Sequence, residues 1–85
     1  MRAYVLVQTQ PGNGSIAATL QTVPGVDFAH DLRGPYDAIA LARSDSIRRA
    51  IESIVAEIRK LPGVVRAVAA PVNHPHEEAR SDAAA

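Results

Sequence analysis

The 85-residue chain has no cysteine, no net charge and no long apolar run. Without cysteine, neither a disulfide framework nor a thiolate metal site can stabilise so small a domain. Nine basic and nine acidic side chains cancel, which removes the electrostatic reason to expect binding to DNA phosphates or to an anionic membrane. The apolar run over residues 3–7 is far too short for a signal peptide or a membrane span. We therefore predict a soluble, cytoplasmic protein.

Four segments favour β-strands. Residues 2–8 are a β-favouring run that ends before the turn residues of 11–14, and residues 26–31 alternate between apolar and polar side chains. The apolar runs 38–42 and 64–71 complete the set. Each is bounded by glycine, proline or polar residues, as strands in small domains are.

Two helices are predicted between these strands. Ser15 stands where an N-cap is expected, before apolar residues at Ile16, Ala17, Leu20 and Val23. The second helix follows the capping oxygens of residues 44–46, and its apolar positions are Ile47, Ala50, Ile51, Ile54, Val55, Ile58 and Leu61. An outer-face pair is predicted between Arg48 and Glu52, and Arg59 and Lys60 are expected to complement the helix dipole.

A repeated motif divides the chain into two halves. Residues 23–26 read Val-Pro-Gly-Val and residues 61–64 read Leu-Pro-Gly-Val, and each marks the end of a helix and the start of a strand. The resulting order is βαββαβ, the ferredoxin-like arrangement of the α+β class. Right-handed crossovers place both helices on one face of a four-stranded antiparallel sheet.

The second face of that sheet is also predicted to be apolar. Residues 4–7, 38–42 and 64–70 are apolar at nearly every position, whereas a sheet with one solvated face shows cleaner polar alternation. A small domain also gains stability from association. We therefore predict a homodimer packed sheet to sheet. The alternative is that small alanine side chains leave a tolerable exposed surface.

The turn between the second and third strands is the candidate ligand site. It reads Arg33-Gly34-Pro35-Tyr36-Asp37, and Gly-Pro reverses the backbone there. Asp37 could accept from an ammonium or amide, Gly34 lets a donor approach closely, and Arg33 could bind a carboxylate. Alternatively, Asp37 only hydrogen-bonds the backbone of its own turn.

The other reactive side chains give weaker evidence for a functional site. His30 and Asp31 suggest acid/base chemistry, but the sequence places no Ser or Cys nucleophile with them, and a packed or surface histidine is the commoner case. The metal-capable groups of residues 74–78 lie in a segment, 73–85, with no apolar periodicity, which we expect to be a disordered tail. No metal or cofactor is predicted.

Three segments resemble a known family: residues 2–7, 34–40 and 61–64 are similar to the effector-binding domain of the Lrp/AsnC transcription factors. The resemblance covers about residues 1–72. It implies a ferredoxin-like domain that dimerises through its sheets into an αβ barrel and often forms octamers or decamers. It also implies that an amino acid or related small molecule binds near subunit interfaces, with Gly34 and Asp37 contributing.

The resemblance implies a stand-alone form, because no helix-turn-helix half is present and no direct DNA binding is expected. Family members often carry Thr on the last strand, where this chain has Ala67, Val68, Ala69 and Ala70, and Arg33 replaces a small polar residue. A pocket lined by Ala and Val offers a polar ligand fewer hydrogen-bond partners.

Three hypotheses follow. The first is a small-molecule sensor that could assemble with full-length regulators and uses Arg33, Gly34, Tyr36 and Asp37. The second is a ligand-free assembly module. The third is a small cofactor-free dimeric αβ-barrel enzyme in which His30, Tyr36 and Asp37 are the candidates.

Overall fold

Four strands and two helices alternate as βαββαβ in the computed structural model, which describes residues 1–12, 14–44 and 48–72. The predicted ferredoxin-like order is therefore confirmed. The elements are β1 (Arg2–Thr9), α1 (Ala17–Leu20), β2 (Val26–Asp31), β3 (Ala38–Arg43), α2 (Arg48–Arg59) and β4 (Val64–Pro71).

The strands form one antiparallel sheet in the order β2-β3-β1-β4. Strand β1 is central, so that Leu6 lies opposite Ile39 on one side and Val68 on the other. A register shift between Gln8 and Thr9 interrupts the pairing with β4. Strand β4 is an edge strand, and it ends at a proline that has no N–H to offer to a further strand.

The core lies between one face of the sheet and the two helices. Ala3, Val5 and Val7 of β1 are fully buried on this face, and Leu20 of α1 and Ile58 of α2 are fully buried against it. Strand β3 contributes only alanines, at 38, 40 and 42, to the cluster beneath the helices, whereas Leu41 is buried on the other face of the sheet. Small side chains there let the helices approach the sheet closely.

The repeated Pro-Gly motif forms two equivalent turns. Val26 N–H donates to the Val23 carbonyl at 3.1 Å, and Val64 N–H donates to the Leu61 carbonyl at 3.2 Å. The glycine of each turn has a positive φ, 96° at Gly25 and 87° at Gly63. Proline followed by glycine at positive φ is the pattern of a type II turn. The prediction that both motifs end a helical segment and begin a strand is confirmed.

Helix α1 is shorter than predicted. It ends at Leu20, and Val23 belongs to a pair of turns in which Thr22 N–H bonds the Thr19 carbonyl and Val23 N–H bonds the Leu20 carbonyl. Pro24 explains this difference, because the ring of a proline disfavours helical geometry in the residue before it.

The second helix agrees with the prediction where the structure describes it. The described helix runs from Arg48 to Arg59, whereas the predicted cap at residues 45–46, the start at Ile47, the Arg48–Glu52 pair and the tail of residues 73–85 lie outside what is described. Lys60 pairs with Glu57 at 3.2 Å. No helix among the described residues is long and apolar enough to cross a membrane.

Substitution of Gly25 tests the close approach of the first Pro-Gly turn to α2. A Cβ on Gly25 would lie 2.5 Å from Cδ1 of Ile54, whereas a Cβ on Gly12, at the similar φ of 87°, would meet nothing within 4 Å. Gly12→Ala therefore measures the cost of the positive φ alone. We expect Gly25→Ala to lower the free energy of unfolding by about 1–3 kcal/mol more than Gly12→Ala, as overpacking does. Equal losses in urea denaturation would contradict the contact.

Candidate functional site

One face of the sheet is covered by neither helix. We call it the open face. It comprises the side chains that alternate with the core residues along each strand, namely Tyr4, Leu6, Gln8, Phe28, His30, Ile39, Leu41, Arg66, Val68 and Ala70. Tyr4 is 40% exposed and Val68 37%. The second face is apolar at its centre, as predicted, and polar at the end where Gln8 lies opposite Arg66. The predicted partner copy stays a prediction.

The Arg33–Asp37 turn, which joins β2 to β3, projects into open space at Gly34. Gly34 has a φ of 126°, and nothing lies within 4 Å of the position that a Cβ would take. The residues on either side, Arg33 and Pro35, are exposed, while Tyr36 is half-buried. The turn thus needs glycine for its conformation, and it leaves room beside the backbone for a ligand.

Asp37 fastens this turn to the central strand. Its Oδ2 accepts from Thr9 N–H at 2.7 Å, and its own N–H donates to the Val7 carbonyl at 2.8 Å. The alternative predicted that the Asp37 carboxylate bonds the backbone of its own turn. The structure shows that it bonds a backbone amide of β1 instead. Among the described residues, no donor bonds Asp37 Oδ1, which leaves that oxygen available to a ligand.

Gln8, which the sequence did not single out, also holds the turn. Its Nε2 donates to the Pro35 carbonyl at 2.9 Å, so two consecutive residues of β1, Gln8 and Thr9, hold the turn. The sequence contains a pattern that could have predicted this contact. Gln8 and Thr9 are polar residues at the end of an otherwise apolar strand, where they can hydrogen-bond a neighbouring loop.

The structure does not bring His30 and Asp31 together as an acid/base pair. The His30 ring lies on the open face, 5.2 Å from the Phe28 ring between centroids. The next residue, Asp31, points to the opposite side and accepts from Ser15 Oγ at 2.6 Å and from Ala17 N–H at 3.2 Å. Alternation along β2 thus separates the two side chains.

Asp31 also corrects the predicted helix cap. Ile16 occupies the N-cap position of α1, and Ser15 donates to the Asp31 carboxylate instead of accepting from the helix. The carboxylate of Asp31, which comes from strand β2, accepts from the first helical N–H in its place. Ser15 is thus the hydroxyl that bonds Asp31, a pairing that the sequence did not predict.

Three adjoining cavities follow α2 and β4. One is lined by Met1, Ala3, Ile51, Glu52, Ala69 and Pro71, the next shares Ile51, Glu52 and Ala69 with it, and the third shares Arg59 with the second. No residue of the Arg33–Asp37 turn lines any of these three. Within the described ranges, no three His, Asp or Glu residues are placed to hold a metal ion.

Comparison with known proteins gives consistent matches. The family model of the Lrp/AsnC ligand binding domain matches residues 2–80. The HTH-type transcriptional regulator LysM of Saccharolobus solfataricus is 33% identical over 67 residues, which are 76% of this chain and 46% of that protein. The chain therefore spans about half the length of this curated relative.

Solved structures agree with the fold. The crystal structure of FFRP-DM1 matches with a TM-score of 0.67 and 26% identity, over 80% of this chain and 92% of that one. PHS023 from Pyrococcus horikoshii matches with a TM-score of 0.65 and 27% identity, over 88% and 94% of the two chains. TTHA0845 from Thermus thermophilus has a TM-score of 0.67 and 25% identity, over 80% and 86%.

The Asp31 cap predicts a pH dependence of stability. The hydrogen bond from Ser15, with those from the Ala17 and Ile16 amides, lowers the pKa of the Asp31 carboxyl below its usual 3.8. A lowered pKa in the folded state gives a stabilisation that is complete well above pH 3.8 and is lost as the pH falls through the folded value. We expect the melting temperature of wild type to exceed that of Asp31→Asn at neutral pH, with the gap closing below pH 3.8. A gap that does not change with pH would contradict this role, and Glu52→Gln, at an exposed carboxylate of α2, serves as the control.

Proposed function

Since the chain belongs to the Lrp/AsnC ligand-binding domain family, we propose that it is an effector-sensing assembly module. In this proposal two copies pack through their open faces, and an amino acid or a related metabolite binds at the Gly34–Asp37 turn near the subunit interface. Larger assemblies, octamers or decamers, and association with a full-length regulator belong to the same proposal. The domain would work in the cytoplasm, where transcription is regulated.

The composition of the open face supports self-association. Tyr4, Leu6, Ile39 and Val68 form a continuous apolar row across β3, β1 and β4, because the sheet register places them opposite one another or one step apart. A contiguous apolar patch of this kind marks an interaction surface in a folded protein. Removing it from water contributes about 25 cal/mol per Å² of apolar surface.

A single contact connects this face to the turn, and it carries the proposal. Gln8 follows Tyr4 and Leu6 on the same side of β1, and its side chain donates to the Pro35 carbonyl. The turn therefore lies at the end of the open face, where the rim of a second copy would come close. A ligand at the turn would contact both copies, which would couple ligand binding to assembly.

The chemistry of the turn suits a ligand with a cationic group and a carboxylate. Asp37 Oδ1 offers an acceptor for an ammonium, and the exposed guanidinium of Arg33 offers donors to a carboxylate. Gly34 leaves the space between them open. These are the two charged groups of a free amino acid.

The proposed association with a longer regulator is based on the length of this chain relative to that of LysM. LysM is described as an HTH-type transcriptional regulator, and this chain corresponds to 46% of it. A domain with the same open face could pair with the matching domain of such a regulator. It would then carry the effector response without contacting DNA itself.

A second candidate, the ligand-free assembly module, is favoured by strand β4. This strand presents Ala67 and Ala69 toward α2, where a hydroxyl would supply a further hydrogen bond to a polar ligand. The enzyme hypothesis has less support, since the family is one of regulator domains and the carboxylates of Asp31 and Asp37 accept hydrogen bonds from Ser15 and from Thr9.

The assembly part of the proposal predicts a dimer that a charge on the open face disrupts. Tyr4→Glu places a carboxylate on the open face beside Leu6, and we expect it to weaken dimerisation at least tenfold, about 1.4 kcal/mol. Ser53→Glu, on the exposed side of α2, is the matched control and leaves the dimer intact. Light scattering at micromolar concentration measures both. A monomeric wild type would refute the sheet-to-sheet interface.

The ligand part predicts a selective thermal shift. A ligand of the native state raises the melting temperature by mass action, so a screen of the twenty amino acids identifies the effector class. Asp37→Asn keeps an oxygen for Thr9 N–H but removes the charge, and we expect it to weaken binding about tenfold or more. Glu57→Gln, on α2, leaves the shift unchanged. Equal shifts for wild type and Asp37→Asn would exclude Asp37, and no shift for any compound would favour the ligand-free module.

A further inference from the structure

The two Pro-Gly turns belong to a longer repeat of structure. In each half of the chain, the residues before the motif form a pair of turns with the same hydrogen bonds. The donors are Thr22, Val23, Lys60 and Leu61, and the acceptors, in the same order, are Thr19, Leu20, Glu57 and Ile58. Leu20 and Ile58 hold equivalent positions, and both are fully buried. The chain therefore builds the same helix end twice, once for each half of the sheet.

The side chain two positions before each motif makes an equivalent bond to a strand. Gln21 Nε2 donates to the Ala29 carbonyl of β2 at 3.2 Å, and Arg59 Nη2 donates to the Ala67 carbonyl of β4 at 2.9 Å. Each bond spans 8 positions of the sequence. Two chemically different side chains thus make the same contact, so the feature that the two halves share is the bond and not the charge of the donor.

Both acceptor carbonyls face the outer edges of the sheet. Strands β2 and β4 are the edge strands, and successive residues of an antiparallel edge strand bond the neighbouring strand and face the free edge in turn. Val72 N–H donates to a β1 carbonyl, and alternation back along the regular part of β4 places Ala67 on the free edge. Leu32 N–H donates to the Asp37 carbonyl, and the same alternation along β2 places Ala29 on the other free edge.

An outward carbonyl of an edge strand is an acceptor for the N–H of a further strand. On β2 the regular pairing with β3 runs only from Phe28 to Asp31, so the bond at Ala29 occupies an acceptor within this short stretch. On β4 the bonded acceptor is Ala67, and the last residue, Pro71, has no N–H. A strand that approached either edge would have to displace a side chain of the adjoining helical segment first.

We propose that Gln21 and Arg59 close the two edges of the sheet, and that they keep the edge strand of a second copy of this chain from pairing there. Self-association is thereby restricted to the faces of the sheet. The inference goes beyond the function proposed above and does not depend on it, because both bonds lie within one chain.

Removing both donors tests the proposal. Methionine has a long unbranched side chain but cannot donate a hydrogen bond, so the double variant Gln21→Met with Arg59→Met opens both edges. Below the melting temperature, we expect its light scattering and thioflavin T fluorescence to rise at least tenfold faster than those of wild type. The matched control is Gln10→Met with Lys60→Met, which adds two methionines and removes one positive charge at exposed residues, and it behaves as wild type. Equal rates for the two double variants would overturn the proposal.

A loss of stability can also cause aggregation, and Gly25→Ala separates the two causes. This variant destabilises the domain through the contact with Ile54 and leaves both edge bonds in place. Each protein is incubated at the same number of degrees below its own melting temperature. We expect Gly25→Ala to stay as soluble as wild type under these conditions. If it associates as fast as the Gln21→Met, Arg59→Met variant, unfolding is the cause and the edge role is refuted.

Hydrogen exchange locates the new contact. The N–H groups of Ala29 and Ala67 point to the same side as their carbonyls, so pairing at the edges protects them. In the associated Gln21→Met, Arg59→Met variant, we expect both amides to exchange at least tenfold more slowly than in wild type, with the pattern elsewhere retained. Protection spread over the whole chain, or none at these two residues, would contradict pairing of native edges. A monomeric wild type would refute the proposed dimer and leave this test unchanged, so the two proposals fail separately.

Discussion

The packing of two helices against a single face of the sheet is the constraint on which the rest of the structure depends. The core face of β1 is fully buried and β3 offers that face only alanine, so α2 lies close enough for Gly25 to touch Ile54. With both helices on this side, Tyr4 and Val68 remain partly exposed on the other. The described part of the 85-residue chain has no further helix or strand to cover these residues. The proposed dimer therefore uses this face.

Local signals in the sequence were enough for the fold, but not for the contacts of the site. Strand periodicity and the repeated Pro-Gly pairs predicted all six elements, because these features act within a few residues. The bond of Asp37 to Thr9 spans 28 positions and that of Asp31 to Ser15 spans 16. Such pairings depend on which strands become neighbours and on where a bulge falls, and neither is encoded in local spacing. The early end of α1 reflects the effect of Pro24 on the preceding residue. The prediction followed the apolar spacing up to Val23 and did not take this effect into account.

The turn that holds the proposed ligand site is joined to the central strand where the pairing of β1 with β4 is irregular. Gln8 bonds Pro35 of the turn and lies opposite Arg66 in that pairing. The register shift falls between Gln8 and Thr9, the two residues that hold the turn. A change in the twist of β1 at this point would therefore alter the position of the turn.

Strand β4 ends in a proline and has one of its outward carbonyls already bonded by Arg59. An edge strand without such features can pair with the edge of another molecule, and that association has no natural stopping point. Here the edge of β4 is poorly suited to a further strand, while the open face is apolar at its centre. Contacts through a face related by a two-fold axis close on themselves. A dimer of the proposed kind would therefore be a particle of defined size, whereas pairing along the edge of β4 would not be.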